Sequence, residues 1–160
     1  AVKLYKEGFN GEKCFAHCVG VKHAKDVAKE FNDGGVPAAH IDGSMEPGER
    51  QKLIDSLERG EIKVLCGVRL LTTGIDVRSA SVSLNLCPTK SLVTAEQRGG
   101  RALRLDEDNP DKYAYIVDFV DRAAEKKWPS TLFSSGWRRS DRTEREAIQD
   151  RWWWHTKEIA

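Results

Sequence analysis

Apolar positions along the first 120 residues keep two alternating rhythms. Cys14 to Val19 is a nearly unbroken apolar run, the pattern of a strand buried on both faces. Ala24, Val27, Ala28 and Phe31 then recur at helical spacing until Gly34-Gly35 stops the pattern. A helix-like segment, Ala1 to Gly8, precedes them. Val36 to Ile41 reads as a second strand. Leu53, Ile54 and Leu57 mark a second helix that ends at Gly60, with Pro47 near its start, where a missing N–H costs nothing. Ile62 to Cys66 is a third strand. In Ser81 to Leu86, Val82, Leu84 and Leu86 alternate with Ser83 and Asn85, which predicts a strand with one face more polar than the other. Ser91 to Arg98 follows as a short polar helix. Tyr113 to Phe119 supplies a fifth strand after the acidic, Pro-containing loop Asp106 to Asp111. Repeated strand-helix units of this size predict an α/β domain. Its sheet is mainly parallel, with five or more strands between helices on both faces, and ligands gather at the strands' carboxyl ends.

Beyond Asp121 the composition changes. All five tryptophans (Trp128, Trp137, Trp152, Trp153 and Trp154) fall there, among Arg138, Arg139, Arg142, Arg145 and Arg151. The expected organisation is therefore one domain over residues 1–121 and a Trp/Arg-rich, partly helical extension over 122–160. The indoles of that extension either pack on protein or stack on bases beside the arginines. A length of 160 residues with 39% hydrophobic positions agrees with one core plus a tail. With 26 Lys and Arg against 25 Asp and Glu, affinity for an anion must come from local placement rather than from a field over the whole molecule. Cys14, Cys18, Cys66 and Cys87 form no CxxC pair, so they read as buried free thiols in a reducing, cytoplasmic setting, with no metal site. No apolar run approaches a membrane span and no leader precedes the domain, so no membrane partner is expected. Because the chain opens at Ala1 directly on a helix-like segment, it reads as a piece of something longer.

Four short constellations each fall just after a strand. Gln97-Arg98-Gly99-Gly100-Arg101-Ala102-Leu103-Arg104 sets three guanidiniums around a glycine pair, and a planar fork of donors suits phosphate oxygens. Two helical glycines cost roughly 1 kcal/mol each relative to alanine, so the helix is expected to end there, with the arginines projecting from its end. Leu71-Thr72-Thr73-Gly74-Ile75-Asp76 combines a close backbone approach at Gly74, hydroxyls for a phosphate and a carboxylate able to accept from a ribose hydroxyl. Val19-Gly20-Val21-Lys22-His23 places a helix amino terminus and a lysine where a backbone phosphate could sit. His40-Ile41-Asp42-Gly43-Ser44 is a strand end and turn.

In order and spacing these four resemble the second, carboxyl-terminal RecA-like domain of superfamily two helicases and translocases, most closely the branch related to repair and restriction-system helicases. Phe15 to Lys29 is similar to motif four with its helix, His40 to Gly43 to the turn after the second strand, and Leu71 to Asp76 to motif five. Gln97 to Arg104 fits the motif six pattern Q-x-x-G-R-x-x-R at every defined position. Thr73 and Gly99 depart from the branch, standing where an acid and an aliphatic residue are common. The resemblance implies a RecA-like three-layer α/β/α fold and a role as second motor domain of an ATP-dependent nucleic-acid machine. It implies that Arg101 and Arg104 act as arginine fingers and that Gln97 positions the nucleotide or attacking water. It places Gly74 and Asp76 with the arginines on the nucleotide side, and Gly20, Lys22, His23, Gly43, Thr72 and Thr73 on the nucleic-acid track. ATP with Mg²⁺ would be held mainly by an amino-terminal RecA-like domain, the expected intramolecular partner, and DNA is favoured over RNA. The 160 residues contain no GxxxxGK[ST] phosphate loop, so the chain alone is expected to be inactive as an ATPase. A non-catalytic nucleic-acid-binding or scaffold module on the same fold is the rival reading. A flavodoxin-like nucleotide binder is disfavoured, since no glycine-rich loop follows the first strand.

Overall fold

A computed structural model describes residues 1–68, 75, 77–87, 89, 91–102, 104, 106, 108–109 and 112–119. The expected extension 122–160 lies outside the described residues, as do Thr72, Thr73, Gly74 and Asp76. The described elements run α1 (Val2–Gly8), β1 (Cys14–His17), α2 (Val21–Asp33), β2 (Ala38–Ile41), α3 (Pro47–Glu58), β3 (Val64–Gly67), β4 (Val82–Asn85), α4 (Leu92–Ala102) and β5 (Tyr115–Asp118). The five strands form one sheet in the order β2-β3-β1-β4-β5, and all four pairings are parallel.

The two faces follow from the pleat. Cys14, Ala16, Val64, Cys66, Val82, Leu84 and Val117 pack with Tyr5 of α1 and with Ala24, Val27, Ala28 and Phe31 of α2. The alternate residues Phe15, Leu65 and Ile41 face the other way and pack with Leu57 of α3 and with Ile75, Val77 and Ala80. Helices on both faces let each strand of the centre bury both its sides, so β1, β3 and β4 are buried at every position. The α2 pattern ends as its sequence predicts. The Gly34 N–H donates to the Glu30 carbonyl at 3.0 Å, and Gly35 takes a φ of 79° that a side chain would resist. Short α1 is held by its one buried residue: the Tyr5 hydroxyl donates to the Glu12 carbonyl, and its ring meets Phe31 edge-on at 5.6 Å.

The more polar face expected of β4, that of Ser83 and Asn85, is present but not solvated; both are buried. The residues on this face of β1 and β4 include His17, Ser83 and Asn85, and α4 covers them: the Ser83 hydroxyl donates to the Arg98 carbonyl at 3.5 Å. Contrary to expectation, α4 does not stop at the glycine pair, since it runs through Gly99 and Gly100 to Ala102. Gly99 and Ala102 are buried against the domain, and Arg98 and Arg101 are each tied to a loop carbonyl. These tertiary contacts outweigh an intrinsic penalty of about 2 kcal/mol for two glycines.

Candidate functional site at the carboxyl rim of the sheet

Because every strand points the same way, the segments that follow β1, β2, β3 and β4 emerge on one rim. The chain leaves β1 toward β3 and β2 on one side and fills β4 and β5 on the other. The β1/β4 crevice is therefore the topological switch point, where open α/β sheets take ligands. The segments 19–23 and 42–44 and the start of α4 emerge on this rim. α4 then runs back over Ser83, so that Arg104, whose carbonyl shares Lys112 Nζ with that of Arg78, lies toward the amino ends of β4 and β5. Most of 71–76 lies outside the described residues.

After β1, Gly20 is the amino-terminal cap of α2 in an extended conformation. The Val19 N–H donates to His23 Nδ1 at 3.2 Å, so His23 closes the turn. Lys22 is exposed and pairs with Asp26 at 2.7 Å along the helix. An exposed pair of this kind is worth little and releases its lysine cheaply to a stronger anion. After β2, Gly43 is exposed in a turn that Asp42 organises: the carboxylate accepts the Ser44 N–H at 2.8 Å and its hydroxyl as well. Those two hydrogen bonds lower the Asp42 pKa.

After β4 comes the arginine helix. Gln97 is exposed, Arg98 and Arg101 are half-buried, and Arg104 is exposed just past the helix end. Arg98 donates from Nη1 to the Cys87 carbonyl at the end of β4. Arg101 donates from Nη1 to the carbonyl of Ile75, inside the segment that resembles motif five. Arg101 thus does not project from a helix end, as expected from the glycines; it lies in the last turn and ties α4 to the loop after β3. Arg104 instead fits the expectation of an accessible guanidinium, its backbone carbonyl accepting from Lys112 Nζ at 3.0 Å.

Beneath α4 lies a polar cluster that pattern reading missed. His17 and Asn85 are register partners on adjacent strands, both are buried, and Asn85 Nδ2 donates to Asp118 Oδ1 at 2.6 Å. Burial, reinforced by the charges of Arg98 and Arg101, lowers the His17 pKa to about 3, so the imidazole is neutral at physiological pH. Burial raises the Asp118 pKa against the pull of the Asn85 hydrogen bond and the Arg98 charge. The available signal was polar residues inside strand-like runs, which in β4 mark the face that meets a polar helix.

Guanidinium donors on this rim fit phosphate oxygens. Among the described residues there is no group of three or more His, Cys, Asp or Glu able to hold a metal ion. Cys14, Cys18 and Cys66 are buried free thiols and Cys87 is half-buried. No helix of the described residues is long and apolar enough to cross a membrane.

A five-stranded parallel sheet with helices on both faces and an arginine helix at its switch point is the carboxyl-terminal RecA-like domain of a superfamily two helicase. Residues 2–106 match the family described as the helicase conserved C-terminal domain, and the chain belongs to that family. A 51.5 kDa protein of a Lactococcus phage (isolate 7-9) is 34% identical over 144 residues, which cover 86% of this chain and 31% of that protein. UvrABC system protein B of Nitratidesulfovibrio vulgaris is 33% identical over 99 residues, 59% of this chain and 15% of that protein. The chain thus spans less than a third of the length of these relatives. Among solved structures, E. coli DEAD-box protein SrmB, bound to regulator of ribonuclease activity A, superposes with a TM-score of 0.67 at 19% identity, covering 88% of this chain and 76% of that one. S. cerevisiae Dbp5 L327V bound to Gle1 H337R and IP6 gives 0.68 at 23%, covering 93% and 40%. Both share the fold.

Proposed function

We propose that this chain is the second motor lobe of an ATP-dependent nucleic-acid helicase or translocase, whose first lobe supplies the phosphate loop. The observation that carries the reading is α4. One continuous helix that starts at the carboxyl rim bears Gln97 and Arg101 four residues apart, with Arg104 just beyond, and Arg101 is bonded to the backbone of the loop after β3. Closure of the two lobes around ATP would bring Arg101 and Arg104 to the phosphates, where they neutralise charge on the transferring group, while Gln97 positions the nucleotide or the attacking water. Gly74 and Asp76 complete the nucleotide side. Gly20, Lys22, His23, Gly43, Thr72 and Thr73 line the track, where contacts to phosphate position a strand without reading its sequence. Val19 and Val93, 65% and 60% exposed on the same rim, suit a face that closes on another surface. Mg²⁺, which needs oxygen ligands, we assign to the first lobe, where it would neutralise phosphate charge. Residues 1–121 form the lobe and 122–160 an extension to it.

We assign DNA ahead of RNA from the resemblance to the repair and restriction branch. Relatives include a protein named ATP-dependent RNA helicase DbpA, 28% identical over 96 residues, so RNA is the necessary second arm of the test. In the full-length polypeptide that carries this chain, nucleic-acid-stimulated ATPase is measured with single-stranded and duplex DNA and RNA. Arg101→Ala and Arg104→Ala should each lower turnover, by about 10³- to 10⁵-fold for loss of a finger, which is roughly 4 to 7 kcal/mol of barrier. Unchanged turnover in both variants removes the fingers, and robust ATPase from the isolated chain removes the two-lobe reading.

A further inference from the structure

The finger chemistry leaves the polar cluster beneath α4 without a task. His17 ends β1, Asn85 ends β4 and Asp118 ends β5, so the three sit side by side at the switch point. Arg98 lies above them on α4. Asn85 Nδ2 is committed to Asp118, and Arg98 Nη1 to the Cys87 carbonyl. Three side chains of this cluster each carry a buried atom with no hydrogen-bond partner among the described residues: His17 Nε2, Asn85 Oδ1 and Arg98 Nε. They are an acceptor, a donor and an imidazole nitrogen that serves as either. Leaving such atoms without partners is costly, and native cores rarely do so without a functional reason. Together these atoms leave donor and acceptor capacity beneath α4, close enough for the Arg98 charge to act on both His17 and Asp118.

We propose that His17, Asn85, Asp118 and Arg98 form a positioning network that fixes the rotation of α4 and thereby aims Arg101 and Arg104. This rests on the finger reading above. Arg98 and Arg101 are three residues apart on α4 and share a face. Anchoring Arg98 over β4 and β5 therefore sets the side from which Arg101 reaches Ile75. Asp118 supplies the counter-charge. His17 serves only as a neutral group, because an imidazolium would repel both guanidiniums. None of the four needs to touch the nucleotide; they act through the helix.

The test uses the full-length polypeptide with Arg98→Lys, which keeps the charge but loses Nε and the planar fork, and Asp118→Asn, which keeps an acceptor for Asn85 but loses the charge. A misaimed catalytic group costs about 10²-fold, so kcat should fall by that order. KM for ATP and nucleic-acid affinity should stay within about twofold, the signature of an interaction made only in the transition state. A merely structural defect would move all of these together. In the Asp118→Asn background, Arg101→Ala should cost about 10²-fold less than in the unaltered protein, because the finger is already misplaced. Amide exchange along α4 should quicken while α2 and α3 keep their rates. Unchanged kcat in both variants, or full additivity with Arg101→Ala, overturns the network. Should Asp118→Asn fail to fold, Arg98→Lys decides alone, with its own Arg101→Ala cycle. If Arg101→Ala leaves the unaltered protein's kcat intact, it is the finger reading that fails, and the network falls with it.

Discussion

His17 is the residue whose chemistry differs most from what its letter suggests. A histidine after an apolar run invites a metal or a proton switch, yet its imidazole is buried between two strands and faces two guanidiniums. Neutral His17 favours the folded state fully above the ordinary histidine pKa of about 6.5. As pH falls from there toward about 3, the folded value, that contribution is progressively lost. The unfolded chain binds a proton over this window and the native chain does not, so stability drops by about 1.4 kcal/mol per pH unit from this group. His17→Gln, neutral throughout, should be less stable at pH 7 but should lose less stability between about pH 6.5 and pH 4.5, by about one proton's slope. Urea denaturation of both proteins across that range measures it. Parallel losses in the two would mean that the proton binds elsewhere. Arg98 and Arg101 are the charged groups acting on this imidazole, and both keep their charge over the whole range.

At the scale of elements, α4 separates what the sequence carried from what it did not. The strand-helix order, the amphipathic face of α2 and the Pro47 start of α3 were legible because each depends on neighbours within a few residues. So was the emergence of the segments after β1 and β2 on one rim, which follows from parallel strands. The course of α4 was not legible, because its glycines are unfavourable locally while the flanking Arg98 and Arg101 bond to the carbonyls of Cys87 and Ile75, 11 and 26 residues away. For the same reason the alternation in β4 marked a more polar face without naming the helix that covers it. Gly100 supplies a direct check, since a Cβ added there would meet no atom within 4 Å. Gly100→Ala should therefore stabilise the domain by about 0.4 to 1 kcal/mol, through higher helix propensity and a less flexible unfolded chain. Thermal melts of the two proteins report it. A destabilised variant would show that the chain leaves helical geometry at the pair.

For the whole molecule the near balance of charge decides how nucleic acid can be held. A formal net charge of +1 provides no attractive field at long range, so affinity must come from the few cations on the rim. Lys22 stands accessible there, paired along its own helix with Asp26. If about three phosphates of a single strand are neutralised, the affinity should fall by about 20-fold between about 50 and 200 mM salt, from a slope near −0.7 per phosphate. Lys22→Ala should then lower that slope by about 0.7 and weaken different sequences equally. Fluorescence anisotropy of labelled oligonucleotides with the full-length polypeptide, titrated across that salt range with and without the substitution, measures both quantities. Affinity that ignores salt, or a loss at Lys22 confined to one sequence, would instead mean that bases are read directly and that Lys22 does not belong to a phosphate track.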